Sequence, residues 1–286
     1  MRFQIRHTTD YRYEHAASEA YVEARLTPPE LPWQHVLSHE IVFDPAAPVS
    51  AYDDYLGNRT VFYSMVRRHS QLSVTNKLTV ETSAPELPAE AMDLSIGEAR
   101  QILSSMATDV FDYLRPTEAV PNGGESAKWA RRILRSDLSL REGMESLNTS
   151  IHKGFKYVQG ATENWTPLDA IWKARSGVCQ DFAHVMLSIL RTAGLPARYV
   201  CGYIETDPPK DGGRLVGAVA THAWVEVMGP GRRWVALDPT NNQWCGERHV
   251  AVSFGRDFSD ATPLRGTFKG SGGQKMSVKV AMKRMP

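Results

Sequence analysis

Three side chains in the chain order Cys, His, Asp could together carry out thiol chemistry: Cys179, His222 and Asp238. Cys179 lies in Gly177-Val178-Cys179-Gln180-Asp181-Phe182-Ala183, which opens an amphipathic helix. A thiolate, not a thiol, attacks a carbonyl, and a free cysteine is mostly protonated at neutral pH. Unpaired N–H groups in a first helical turn favour negative charge by roughly 0.3–1 kcal/mol when exposed, and by more when partly buried. Thr221-His222-Ala223-Trp224 starts an alternating apolar run, and Trp234 to Asp238 forms a second that ends in Asp238-Pro239-Thr240. His222 would take the proton from Cys179 and return it to a leaving group, while Asp238 would orient the ring and stabilise its charged form.

Other reactive residues have plainer roles. His184 lies five residues beyond Cys179, about 140° away around a helix, and is assigned to packing or capping. Asp181 is read as a cap that compensates the helix dipole rather than as a substrate contact. Cys201 and Cys245 are read as structural thiols. Cys245 and His249 have a spacing that could serve zinc, but no second paired motif accompanies them and no metal site is assigned. Arg256, Asp257 and Asp260 fit either a charged network around a cleft or a structural brace. Trp165, Trp172, Tyr11, Tyr13, Trp33 and Tyr52 are assigned to packing.

These residues need a scaffold. Up to residue 82, Phe3, Ile5 and His7, Ile41 and Phe43, Val61 and Tyr63, and Leu72, Val74, Leu78 and Val80 fall on strand periodicity. Turn residues such as Gly57-Asn58 break the runs. The pattern predicts an antiparallel β-sandwich or barrel-like domain over 1–82. A Pro-, Ala- and Glu-rich linker follows over 83–93. Helical spacing then begins, with Ile102, Met106 and Val110 four apart. Thr166-Pro167-Leu168-Asp169 starts a short helix to about Arg175, which Gly177 closes. In the cysteine helix, Phe182, Val185, Met186, Ile189, Leu190 and Ala193 form one buried stripe, ended by Gly194 and Pro196. Strands are expected over 198–204, 222–228 and 233–237. The core is bounded at 94–270, and a tail over 271–286 carries a final strand that rejoins either sheet. Residues 206–220 fit a loop over the cleft or an ordinary hairpin connection.

Composition narrows the class. With 286 residues, 42% hydrophobic and 23% charged, the chain fits a two-domain globular protein. A formal net charge of +1 gives no reason to expect nucleic acid or an anionic membrane as partner. The first residues lack an apolar signal region and no apolar stretch reaches ~18 residues, so neither a signal peptide nor a membrane span is expected. Three scattered cysteines do not resemble a disulfide framework, and a cytoplasmic location is expected.

Taken together, these stretches resemble the transglutaminase-like superfamily, and in particular its bacterial two-domain proteins with a β-rich N-terminal domain. The resemblance is carried by residues 177–184, Gly194-Leu195-Pro196-Ala197-Arg198-Tyr199-Val200, His222-Ala223-Trp224-Val225-Glu226, Asp238-Pro239-Thr240, Gly255-Arg256-Asp257-Phe258-Ser259-Asp260 and Gly57-Asn58. It implies an α+β fold with a papain-like core, in which the cysteine helix packs on an antiparallel sheet carrying His222 and Asp238. It also implies acyl transfer from an amide through a thioester. Hydrolysis of a peptide or isopeptide-like amide, by a cysteine peptidase or amidase, is the expected activity. The alternatives are transfer to a primary amine and a non-catalytic peptide-binding scaffold. The expected partner is a peptide or protein amide. No cofactor or metal is expected, and no Asp-x-Asp-x-Asp-Gly calcium loop is present.

Overall fold

Alternation along Arg2–Ala17 and His69–Thr82 buries Phe3, Ile5, Leu72, Val74, Leu78 and Val80 while their neighbours face outward. This is the period-two signature of a half-buried sheet. In the computed structural model, which describes residues 1–205 and 220–286, these strands lie in one antiparallel sheet. Its order is Gln274–Met285, Arg2–Ala17, His69–Thr82 and Gln34–Asp44. A second antiparallel sheet runs Leu264–Lys269, Glu19–Ala24, Arg59–Met65 and Val49–Asp53. The two share a core of Tyr13, Val22, Phe43, Tyr63, Met65 and Leu72, with Phe43 stacked on Tyr63 at 4.5 Å. Both last strands of the chain join this sandwich, one on each sheet. The expected core boundary at residue 270 therefore falls in the connection between two strands that both pair with N-terminal strands.

The second layer is a five-stranded sheet in the order Gln243–Trp244, Arg233–Asp238, His222–Gly229, Ala197–Ile204 and His249–Gly255. One face presents Tyr199, Cys201, Ala223, Val225, Val227 and Leu237 to the core that also holds the Cys179–Thr192 helix. The helix has no solvated face of any size. Helices Gly124–Ile133, Leu140–Gly154 and Leu168–Ala174 pack around it, so the single apolar stripe expected from sequence becomes burial nearly all round. Its buried polar groups find partners: Ser188 Oγ donates to Ser126 Oγ at 2.7 Å and Arg191 Nη2 to the Ala197 carbonyl at 2.9 Å. This is the condition for tolerating them there.

Local details differ from the expectations. Ile102 is 39% exposed, and the helix Ile96–Ser104 instead buries Ile96, Ala99 and Leu103. That helix and Leu140–Gly154 begin with capping boxes, Ser95 with Glu98 and Ser139 with Glu142. Pro167 is the N-cap of Leu168–Ala174, one residue before the position expected for it. The same helix is closed not by Gly177 but by Arg175 at φ 52°. The guanidinium of Arg175 lies 5.1–5.3 Å from the rings of Trp129, Phe155 and Trp172, contacts that offset an unfavourable backbone.

Amide side chains fasten the two layers. His249–Gly255 is an edge strand of the five-stranded sheet, so one row of its backbone groups has no strand to pair with. Gln34 donates to the Ala251 carbonyl (2.9 Å) and accepts from its N–H (2.8 Å). Asn58 does the same at Phe254 (2.8 and 2.7 Å). An apolar cluster of Phe3, Ile5, Leu78, Tyr203, Val250 and Val252 seals the seam.

Candidate active site

Cys179 is the first residue of its helix and is half-buried. Its position depends on Gly177, because a Cβ there would stand 2.5 Å from Asp181 Oδ2 and 2.7 Å from Asp181 Cβ. Asp181 Oδ2 accepts from the Val178 N–H and from Thr162 Oγ1, each at 2.7 Å. It is the cap that the sequence reading assigned. Burial pushes its carboxyl above the usual range, against these hydrogen bonds.

His222 opens a central strand and Asp238 closes the neighbouring one. Both are buried, with His222 Nε2 at 2.8 Å from Asp238 Oδ2. Nδ1 is the ring nitrogen left without a hydrogen-bond partner, and the nearby Cys179 thiol helps to raise the pKa of the ring. The turn after Asp238 aims the Thr240 and Asn241 N–H groups at Oδ1 (3.0 and 3.1 Å). Asn241 Nδ2 reaches Oδ2 at 2.7 Å and His249 Nε2 reaches the same oxygen at 3.3 Å. His249 Nδ1 accepts the Gly246 N–H at 3.2 Å, so its own proton must lie on Nε2, toward the carboxylate. The cluster thus extends from His222 and Asp238 to Asn241 and His249. His249, which the sequence pairs only with Cys245 as a spacing suited to zinc, instead hydrogen-bonds Asp238.

Charge and burial compete at this cluster. Burial disfavours the imidazolium, yet the adjacent Asp238 carboxylate, its hydrogen bond and the Cys179 interactions together push His222 up to about 10. Burial likewise opposes ionisation of Asp238, but His222 and the hydrogen bonds from His222 and His249 hold it well below the usual carboxylate range. Burial pushes Cys201 up to about 12 and also raises Cys245, where Asp238 adds to the effect. His184, held neutral by burial at about 4, accepts the Phe258 N–H at 3.2 Å and takes no part in the cluster. Arg256 and Asp260 form a brace at 2.7 Å.

Donor atoms of His222, Asp238 and His249 lie within 4.8 Å of one another. The ligand atoms of one tetrahedral zinc, bonded at ~2.0–2.1 Å, would lie about 3.3 Å apart. The 2.8 Å His222–Asp238 contact is shorter than that and is a hydrogen bond.

A cleft of about 810 Å³ opens onto Cys179 and His222. Tyr157, Tyr199 and Phe258 form one wall, and Tyr11, Met276 and Val278 of the sandwich form the other. Among its described lining residues there is no Asp, Glu, Lys or Arg. His7, also in the lining, is kept neutral by burial at about 4. Tyr11, assigned above to packing, thus faces the cleft. Trp165, also assigned to packing, is 77% exposed, whereas Trp172 is buried. The 206–220 segment lies outside the described residues except for Ala220, which lines the cleft. Among the described residues no helix is long and apolar enough to cross a membrane.

A cysteine-bearing helix on an antiparallel sheet, with His and Asp on adjacent strands and a β-sandwich before it, defines a class. Residues 127–239 match the Transglutaminase-like superfamily and residues 3–81 match the Bacterial transglutaminase-like N-terminal region. The chain belongs to the transglutaminase-like superfamily. Its relatives include an uncharacterized protein of Mycobacterium tuberculosis, 35% identical over 275 residues, covering 93% of this chain and 87% of the relative. Another uncharacterized protein, from Mycobacterium leprae, is 33% identical over 291 residues and covers 99% of each chain. A protein-glutamine gamma-glutamyltransferase of Pseudomonas aeruginosa is 41% identical over 73 residues, which is 25% of this chain and 11% of that protein. A solved structure from Cytophaga hutchinsonii, described as a candidate cysteine protease, shares the fold. Its TM-score is 0.72 at 20% identity, covering 100% of this chain and 92% of that one.

Proposed function

We propose that this protein is a thiol-dependent enzyme that acts on the amide bonds of peptides or proteins through Cys179, His222 and Asp238. The observation that carries the reading is the chain of contacts at the cleft: His222 Nε2 is committed to Asp238, which leaves Nδ1 for the thiol. In the reaction, Cys179 attacks the amide carbonyl as its proton moves to His222. The Cys179 N–H, in the first turn and without an intrahelical acceptor, stabilises the oxyanion, a contribution of the kind worth ~10²–10³ in rate. His222 then protonates the departing amine and leaves a thioester. Water attacks next, with His222 as base, releasing the acid and regenerating the thiol. Asp238 stays ionised throughout and holds the ring. Three free thiols suit a reducing cytoplasm.

A second reading replaces water with a primary amine. It is favoured by a cleft without charged walls among the described residues, where an amine is more readily neutral and nucleophilic than in water. The local likeness to a glutamyltransferase points the same way. The deciding experiment incubates the protein with a blocked glutamine peptide, with and without an alkylamine, and reads the product mass. Deamidation alone supports the hydrolase and an amine adduct supports the transferase. Absence of both, together with alkylation of Cys179 no faster than that of Cys201, would leave only the scaffold.

A further inference from the structure

Beside the catalytic cleft lies a depression of about 300 Å³ that shares Tyr11, Phe258, Leu264 and Met276 with it. Its floor is apolar, with Tyr13, Leu72 and Phe268 in the lining and the Tyr13 and Phe268 rings 4.8 Å apart. At its rim stand Trp165, 77% exposed, and Met276, 58% exposed. Both adjoin the apolar floor, and it is such a contiguous exposed patch, rather than a single bare side chain, that marks an interaction site. The rim is tied to the nucleophile, because Gln180, next to Cys179, donates through Nε2 to the Asn164 carbonyl at 3.0 Å. The one charged side chain among the described lining residues is Arg265, which sits across the strand pair from Glu23 and lowers its pKa. One further feature identifies the occupant. The depression runs along residues 264–268, and the strand Leu264–Lys269 is an edge strand, paired on one side only. An unpaired strand edge is a template for an extended polypeptide backbone.

We infer that this depression is a subsite of the proposed amide-cleaving site: it takes an extended, uncharged segment of the substrate polypeptide along the edge strand, with an aromatic side chain seated between Trp165 and Phe268. The inference rests on the functional reading above for the identity of the attacked bond, but its test does not require turnover. Blocked hexapeptide amides containing glutamine, with Phe or Asp at a neighbouring position, are titrated calorimetrically into the full-length Cys179→Ala variant. The Phe peptides bind at least about tenfold more tightly than the Asp peptides, the scale of burying part of an aromatic side chain. Adding Trp165→Ala, a change at an exposed position, brings the ratio to about twofold or less. Methylating alternate backbone nitrogens of the Phe peptide weakens its binding. Equal affinities for Phe and Asp peptides, or a ratio that survives Trp165→Ala, would overturn the subsite. Alkylation of the wild-type protein with iodoacetamide reads the catalytic proposal separately. Unselective labelling combined with a Phe preference keeps the subsite and removes the enzyme, and selective labelling without the preference does the reverse.

Discussion

Asp238→Asn tests the proposed chemistry most directly, because the surrounding donors dictate how the new amide must sit. Oδ1 receives two backbone N–H groups, from Thr240 and Asn241. An asparagine would keep its oxygen there and turn its NH₂ toward the place now occupied by Oδ2. Three donors already converge on that place: His222 Nε2, Asn241 Nδ2 and His249 Nε2. His249 cannot move its proton without losing the Gly246 N–H. His222 must then put its proton on Nδ1, the nitrogen needed as acceptor for the thiol. The imidazolium also loses the carboxylate that does most to raise it to about 10. An ordinary thiol is only about 3% ionised at pH 7, so the proposed mechanism, which requires a thiolate–imidazolium pair, predicts that the substitution slows alkylation of Cys179 by up to about 30-fold. Turnover falls by about 10²–10⁴. Stability carries a second signature. The folded-state pKa of His222 lies above its ordinary 6.5, so its contribution is fully present below pH 6.5 and is lost as pH rises through about 10. A rise of that size bounds the contribution at about 5 kcal/mol, shared with Asp238 rather than added to it. Urea midpoints of the wild type therefore decline between pH 7 and 10, and those of the variant do so far less. A folded variant with wild-type labelling and the same decline would refute the reasoning.

Cys179→Ala abolishes turnover while changing stability by less than about 1 kcal/mol, since a half-buried thiol is exchanged for a smaller group; activity assay and thermal melts check both. His249→Leu removes one donor from Asp238 and leaves the Gly246 N–H unpaired, so kcat falls about tenfold with KM unchanged. His249→Gln, which keeps a donor, recovers part of that loss, whereas a purely structural role would move both constants or neither. Asn58→Ala strands the N–H and carbonyl of Phe254 at the seam and costs about 2–4 kcal/mol in urea unfolding. An unchanged midpoint would show that water replaces the amide.

The elements were legible where the information is local. The cysteine helix, the strand opened by His222 and the strand ending at Asp238 follow from apolar periods of 3.6 and 2 and from turn chemistry, which neighbouring residues determine among themselves. His184 was also placed correctly, since a rotation of about 140° along a helix is independent of tertiary context. Gly57-Asn58 could be recognised as part of a motif, but its reason is tertiary. Asn58 completes the hydrogen bonding of a strand 196 residues away. Trp165, 77% exposed, departs from the packing role, whereas Tyr11 packs on the sandwich core and lines the cleft as well, because packing and lining residues have the same composition.

By itself, then, the sequence determined which groups the proposed chemistry can draw on, a thiol, an imidazole and a carboxylate, and the two kinds of scaffold that could hold them. Only the tertiary structure decided that His249 and Asn241 share the carboxylate with His222, that the sandwich supplies one side of the cleft, and that an edge strand lies beside Trp165 and the cleft. The physical reason is range. Periodicity and capping act over a few residues, whereas hydrogen-bond direction, ring tautomer and the loss of water at a cleft depend on atoms that only folding brings within a few ångströms.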